Sequence, residues 1–489
     1  MGHARTEPPR PLKTPSRIER DDRPETLRSF ASDVDTARGH VPAAVLRPGS
    51  SEAVAEVLQW ANDSGVGVVP VSSTGRRRRG DTVPQRDRTV MLDLSGMKRL
   101  VHADARDKIV IVEPGVDFGT IDHLLKPHGL RALRPLMPRA GKSLIASHLE
   151  REPLIAANDH WEVSDPFGGT HLVLGNGKPS PTGTAAMAGS LEEQLAHGHR
   201  QMLSVGPANI DFLRVVQGAQ GTLAAMTWAA VYAERIPVAE RAWFASADGL
   251  APIVAMARDA LHRRLGNALF IVDNVQLAML LMDAPGEFAG LAARLPPWTL
   301  FISVCAGRQA TEQKMAWQGD DVAALAAEHG ARLHDQLERR SAGDLVRRLR
   351  QPQATSFRDA PLGAHRELFF VQQLDRVERF VEQVRQTLRS NGMGNAALGV
   401  YVQPMAQGVN CHIEFDLLYR PAELRTLPLD DVWQAAAQRC ADAGAFFSRP
   451  YGRWRDIAFQ RDTGHRSMMT MAKSILDPNG VMNPGRLPY

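Results

Sequence analysis

The sequence predicts an α+β chain of at least two domains, and three observations carry that expectation. Its 489 residues exceed the roughly 250–300 at which a single core usually divides. Between Pro42 and Pro237, short β-branched runs alternate with helical stretches and Gly/Pro punctuation, as mixed layers require. From about Arg241 to Tyr419, strands and helices alternate with no Gly-rich phosphate loop between them, which predicts an antiparallel sheet covered by helices.

The elements follow in order. Ser51 to Ser64 reads as a helix capped by Ser50 or Ser51, with Val54, Val57, Leu58 and Ala61 on one face. Strands are expected at 66–70, 90–94 and 108–115, then a helix at 120–128 with Ile121, Leu124 and Leu125 inward. A Gly-punctuated turn over 216–223 leads into a strand from Ala224 to Ala233. In the second region, strands are expected at Trp243-Phe244, 269–272, 300–304, 397–403 and 410–418, with helices at 250–265, 322–340 and 374–390. The last region, 429–489, holds an Ala-rich helix (431–443), an aromatic and basic loop, a Met-rich helix (466–476) and a Pro/Gly tail. It is too short for a core of its own, so it is expected to pack back on the earlier domains.

Composition narrows the function. Hydrophobic residues make up 44% and charged residues 23%, an ordinary globular balance. No apolar run approaches the roughly 18 residues of a membrane-spanning helix. Residues 1–40 are expected to be a leader, for Met1 to Arg28 is rich in Pro, Arg and Asp and resembles neither a secretory signal nor an anchor. The three cysteines, Cys305, Cys411 and Cys440, lie far apart with no CxxC pairing. That argues against a disulfide framework or a zinc site and fits a cytoplasmic protein. The net charge of +4 can draw an anionic substrate to a cleft but does not suggest nucleic acid. The run Arg76 to Arg79 lacks the aromatic interleaving or recognition helix of a nucleic-acid reader.

Two stretches carry chemistry on their own. Ser72, Ser73, Thr74, Gly75 and Gly80 follow a strand, and small residues there let consecutive N–H groups converge as a nest for phosphate oxygens. A solvated turn with a charge run is the alternative. Along 408–416, alternation puts Asn410, His412, Glu414 and Asp416 on one face of a strand. If that face is buried, His412 suits a general base and Glu414 its orienting partner; otherwise it is a solvated sheet face.

Taken together, the helix, strand and Pro-Val-Ser-Ser loop, then Asp-Leu-Ser-Gly-Met-Lys, Val-Glu-Pro-Gly-Val, Thr-Gly-x-x-Ala-Met, Pro-x-x-Asp and Gly-x-x-Gly-Thr-Leu-x-x-Met-Thr resemble the FAD-binding domain of the vanillyl-alcohol oxidase / p-cresol methylhydroxylase superfamily. The co-linear match extends over about 190 residues. The tail Asp477-Pro478 to Asn483-Pro484-Gly485 looks like that of the glycolate oxidase branch. The resemblance implies a FAD-binding domain of two α/β subdomains over 41–237, an antiparallel-sheet cap or substrate domain over 238–428, and a C-terminal segment over 429–489. It implies FAD as cofactor, with the loop at Ser72 to Gly80 cradling the diphosphate and Pro114 and Gly115 packing close by. Ser143 and Ser147 would be further donors to the diphosphate, and Gly218, Gly221, Thr222 and Met226 would line the flavin. Asn483 would reach back to the FAD domain.

The resemblance also places Tyr451 and Arg453, in Ser-Arg-Pro-Tyr-Gly-Arg, where the phenol-oxidising branch carries a Tyr-Arg pair. A guanidinium there would hold a carboxylate or stabilise a phenolate; the alternative is that the loop only pins the C-terminal region to the core. The phosphate loop is richer in arginine than family loops, and the Gly-Glu-His-Gly metal segment of the hydroxy-acid branch is absent, which argues against a simple D-2-hydroxy-acid dehydrogenase; no metal site is expected. No residue marks covalent flavin attachment.

The activity implied is hydride transfer from an alcohol or activated C–H of a small aromatic or carboxylated substrate to flavin, then to oxygen or a carrier. A D-2-hydroxy-acid dehydrogenase and a non-catalytic flavin-binding subunit are the alternatives. The electron acceptor is unknown, and a homo-oligomer is compatible with the sequence.

Overall fold

The computed structural model describes residues 14–34, 39–159, 165–183, 185–186, 190–197, 211–425, 428–452, 454–461 and 463–489. Three sheets organise them. The first contains β1 (Glu19–Asp21), β2 (Val45–Arg47), β3 (Gly67–Val71) and β4 (Thr89–Asp93) in the order β1-β2-β4-β3. β4 runs parallel to both β2 and β3. The crossover between β2 and β3 is the helix Ser51–Ser64, whose Ser50 side chain accepts from the Ala53 amide. Its buried residues are Val54, Val57, Leu58 and Ala61, the face expected from the spacing.

The second sheet contains β5 (Leu100–Asp104), β6 (Ile109–Val112), β7 (Leu130–Ala132), β8 (Phe167–Leu174), β9 (Pro179–Gly183) and β10 (Ala224–Arg235). Its order is β5-β6-β10-β8-β9, with β7 also on β10. The helix expected over 120–128 is shorter, Ile121–Leu125, and tightens into a 3-10 turn over Lys126–His128. Pro127 supplies no amide to continue the α-helical ladder.

The third sheet is seven-stranded and built from β11 (Ala239–Ala247), β12 (Ala268–Asp273), β13 (Trp298–Ala306) and β14 (Arg332–His334). A short hairpin, β15 (Gln336–Leu337) with β16 (Arg340–Ser341), stands apart, and β17 (Ala364–Gln373), β18 (Leu398–Met405) and β19 (Asn410–Tyr419) complete the sheet. Neighbours run antiparallel throughout, in the order β14-β11-β13-β12-β18-β19-β17. One face packs on the helices Leu250–His262, Val377–Ser390 and Leu429–Asp442 through Ile271, Leu300, Val400, Ile413 and Phe415.

Two expectations fail here. The helix placed over 322–340 lies instead at Thr311–Glu328; Gly330, with φ of 67°, turns the chain into β14 and the hairpin. β17 was not anticipated, although it pairs along its full length with β19. Its charged residues His365, Arg366 and Glu367 hide the alternation that Leu368 to Val371 would otherwise show.

The tail closes the first sheet. Val481 and Asn483 bracket Val68, accepting from and donating to its backbone at 2.8 Å each, so the chain end covers the free edge of β3. Among the described residues no helix is long and apolar enough to cross a membrane.

Candidate active site

A cleft opens between the loop after β3, strands β8 and β10, and the inner face of β17, β18 and β19. Pro70, Ser72, Ser73, Asp81, Pro114, Gly221, Ala224, Ala225 and Met226 line one part of it. Tyr401, Glu414, Glu367, Arg449 and Tyr451 line the other. The third sheet delivers its polar residues here through register: Glu367 lies opposite Asp416 and Phe369 opposite Glu414, with Tyr401 across from Glu414 on the other side. Of the polar row expected on β19, His412, Glu414 and Asp416 are buried and Asn410 is half-buried. His412 is 2% exposed, Glu414 5% and Asp416 0%.

Backbone geometry at the loop suits a dinucleotide. The amides of Ser72, Ser73, Gly75 and Arg76 meet no acceptor among the described residues, while Thr74 is pinned by its amide to Gly141 O at 2.8 Å. The two pairs of free donors on either side of Thr74 form an anion nest that a diphosphate can fill. Thr74 and Gly75 border an adjoining hollow shared with Asp93 and Ser95. Gly80, with φ of 71°, donates its amide to Asp33 Oδ2 at 2.5 Å. Close packing supports the nest: a Cβ on Gly115 would stand 2.4 Å from Ser95 O, and one on Gly221 2.5 Å from Pro70 Cγ. The residues fit the FAD expected from the resemblance.

The four arginines neither face water as a group nor line up on the nest. Arg77 spans back to Ser32 O at 3.0 Å and Thr82 O at 2.7 Å, lying 4.6 Å over the Phe30 ring. Arg78 grips Asp359 at 2.9 Å and His365 O at 2.9 Å. Arg79 binds Glu150 at 2.7 Å, Glu152 at 3.2 Å and Glu367 at 3.1 Å. Arg76 is more open and stands 3.5 Å from Asp359.

Several expected cofactor contacts are occupied otherwise. Ser143 caps the helix Leu144–Leu149, accepting from Ala146 N and donating to Pro114 O at 2.6 Å. Ser147 donates to Glu152 Oε2 at 2.6 Å. Both are fully buried and outside the cleft lining, so their hydroxyls hold the scaffold rather than a diphosphate. Gly218 turns the chain with φ of 76°, and Thr222 donates to Ala219 O at 2.6 Å; of this block it is Gly221 and Met226 that reach the cleft. Asn483 is buried behind the loop, its Nδ2 donating to Asp81 O at 2.8 Å and Gln220 O at 2.7 Å.

The roles expected on β19 change order. Glu414 reaches the cleft and His412 stands behind it, Nε2 to Oε2 at 2.9 Å. Burial pushes the His412 pKa down to about 4 despite that bond, so its neutral ring donates to the carboxylate. Burial would raise Glu414, but Arg358 and the His412 bond outweigh it and hold it at about 2. An imidazole spent on Glu414 and away from the cleft is not placed as a base. Burial lifts Asp416 to about 7 against the pull of Arg358, 2.8 Å away. His365, Glu367 and Asp416 lie close enough to share an ion, yet Arg79 already pairs with Glu367 and Arg358 with Asp416, which opposes a cation there.

Arg453 lies outside the described residues. Tyr451 is 1% exposed and faces the cleft, and the arginine beside it there is Arg449. Arg449 is 2% exposed, makes no hydrogen bond or ion pair through its guanidinium among the described residues, and stacks 3.8 Å over Phe369. The sequence offered three arginines in one loop and no way to choose among them. Asp81 was also missed. It lines the cleft with no hydrogen bond to its carboxylate among the described residues. Burial, with Glu150 adding and Arg486 and Lys142 opposing, pushes its pKa up to about 6.

A family model described as an FAD binding domain matches residues 42–141. The D-lactate dehydrogenase [cytochrome] of Arabidopsis thaliana mitochondria is 26% identical over 198 residues, which are 40% of this chain and 31% of that protein. Among solved structures, p-cresol methylhydroxylase with substrate bound superposes with a TM-score of 0.77 at 16% identity, covering 96% of this chain and 93% of that one. The 4-ethylphenol oxidase of Gulosibacter chungangensis, as its isoeugenol complex, gives a TM-score of 0.76 at 18% identity with the same coverage. The curated relatives are matched over no more than 33% of their own length. The chain therefore carries an FAD binding domain over residues 42–141, with FAD as its cofactor, and it has the fold of p-cresol methylhydroxylase.

Proposed function

We propose that the protein is an FAD-dependent oxidoreductase acting on a small anionic substrate, a phenol that binds as phenolate or a carboxylate. The observation that carries the reading is Arg449, a buried guanidinium with no partner among the described residues, open to the cleft beside Tyr451. A buried cation that the Glu152 and Glu414 carboxylates reach only through space, with no direct ion pair, is poised for an anion.

Bound FAD supplies the hydride acceptor. The protein's part is positional and electrostatic. Arg449, backed by the Phe369 ring, takes the substrate anion, Tyr451 adds a phenolic donor, and Tyr401 lines the cleft with them. Asp81 is the group suited to take up the proton released from an alcohol, being an unpaired carboxylate on the cleft wall. Glu414, ionised and held by Arg358 and His412, shapes the field in which the substrate charge sits and is a weaker base.

Arg449 serves a carboxylate as well as a phenolate, and a D-2-hydroxy acid remains the second reading because of the Arabidopsis relative. The experiment is anaerobic mixing of the FAD-loaded protein with 4-alkylphenols and with D-lactate or glycolate, following loss of the flavin visible band. Bleaching by either class supports the reading and chooses between its forms. A flavin that dithionite reduces but none of these compounds does would count against it and favour a flavin-binding subunit without catalysis.

A further inference from the structure

We infer that Asp359 and Glu367 of the cap are positioning residues for the cofactor's phosphate loop, holding its nest open from the other domain through Arg78 and Arg79. The inference rests on the assignment of that loop to FAD. A loop of this kind must present consecutive amides to one point, and small residues do so by their own backbone freedom. Here four arginines follow Gly75, so freedom is reduced and the conformation needs external restraint.

That restraint is visible atom by atom. Arg78 makes a fork to both oxygens of Asp359, at 2.9 and 3.2 Å, and a third bond to His365 O at 2.9 Å. Arg79 reaches Glu367 at 3.1 Å. The two carboxylates are tied to one another by His365, fully buried, with Nδ1 2.7 Å from Asp359 and Nε2 3.2 Å from Glu367. Arg78, Arg79, Asp359 and Glu367 are each no more than 14% exposed in their side chains, so these pairs are shielded from solvent screening. The arginines that look like phosphate ligands in the sequence are fasteners between domains, and the free amides of Ser72, Ser73, Gly75 and Arg76 precede the fastened stretch directly.

Sign separates this role from simple electrostatics. Asp359 and Glu367 line the cleft, and negative charge near a diphosphate opposes its binding. Removing that charge alone would tighten FAD; removing a positioning contact loosens it.

The test uses full-length protein stripped of FAD and titrated with FAD, read by quenching of flavin fluorescence. Thermal unfolding of each apo variant runs alongside. Asp359→Asn and Glu367→Gln are each expected to weaken FAD binding by about ten-fold, the size associated with losing one hydrogen bond to a charged group. Arg78→Met is expected to weaken binding at least as much as Asp359→Asn, since it also loses the bond to His365 O, and the double variant to be no worse than Arg78→Met, because the Arg78–Asp359 contact is lost in all three. Asp359→Glu restores part of the affinity.

Glu240→Gln is the control. It removes another ion pair between the domains, to Arg131 at 2.9 Å, which does not touch the loop, and FAD affinity should be unchanged. Unaltered or tighter FAD binding in Asp359→Asn and Glu367→Gln would overturn the inference, as would an equal loss in Glu240→Gln. Wild-type protein that takes up no FAD would overturn the cofactor assignment itself, an outcome distinct from these.

Discussion

Arg449 lies 3.8 Å above the ring of Phe369, and that stacking is the main contact of its guanidinium among the described residues. The ring face offers partial negative charge, worth about 2 kcal/mol when desolvated, well short of what burial of a cation removes. Burial accordingly pulls the Arg449 pKa below its ordinary value, with Arg79 adding to the effect and Glu152 and Glu414 opposing it. Arg449→Met keeps the stem over Phe369 and discards the charge. Apo protein should become more stable by about 1–3 kcal/mol in urea unfolding, while benzoate, titrated against the flavin band, should bind roughly ten- to a hundred-fold more weakly. Loss of stability together with unchanged benzoate affinity would mean the arginine is structural.

Asp81 sets an expected acid limb. Its pKa, pushed up to about 6 by burial, leaves it protonated below that pH and unable to accept a proton from substrate. Flavin reduction by a productive alcohol substrate should therefore fall about ten-fold per pH unit below 6 and level off above it. Asp81→Asn should lower the rate by roughly 100-fold or more and remove the limb. The same variant should unfold at higher temperature than wild type at pH 8, with the difference vanishing near pH 3. A raised native pKa costs stability once the unfolded carboxyl ionises, a cost that grows through the window from the ordinary carboxyl value of 3.8 to about 6. A limb that survives Asp81→Asn assigns the proton elsewhere.

Much of this was legible before the structure. The helix Ser51–Ser64 could be read to the residue because a Ser cap and a 3.6-residue stripe agree. β19 could be read because strict alternation of apolar and polar residues over 410–417 has no helical counterpart. β17 could not, since its site-facing residues include His365 and Glu367, which look like surface until Arg78, Arg79 and Asp359 are seen across from them. The exchange of roles between His412 and Glu414, and the choice of Arg449, depend on which side chain meets the cleft. That is a matter of distances between domains, which no local pattern carries. The arginine run misled for the same reason: Asp359 and Glu367, the partners of Arg78 and Arg79 on the third sheet's side, lie about 280 residues away.

Flavin attachment follows from the lining. Among the described residues no His or Cys side chain faces the cleft, while Tyr401 and Tyr451 do. Tyr401 donates its hydroxyl to Gln403 Oε1 at 2.8 Å. Trichloroacetic acid precipitation is expected to release the yellow colour to the supernatant. Colour that stays in the pellet would indicate a covalent link, and peptide mapping would then examine Tyr451 first.

The C-terminal clamp gives the largest stability effect. Asp477, with its side chain wholly buried, accepts from Val481 N at 3.0 Å, Met482 N at 2.8 Å and Lys473 Nζ at 2.5 Å. Lys473 in turn donates to Thr222 O at 2.5 Å and Met482 O at 2.9 Å, tying the tail to the start of β10. Asp477→Ala removes one partner of a buried pair and strands two amides, which should cost about 3–5 kcal/mol. Asp477→Asn keeps an acceptor for the amides and should cost less. The effect should reach the cofactor, because the clamp orients Asn483, whose Nδ2 bridges Asp81 O and Gln220 O. Urea unfolding gives the first quantity and FAD titration the second. A full loss of stability with unchanged FAD affinity would show that the tail secures the fold without shaping the cleft, and a loss under 1 kcal/mol would refute the clamp.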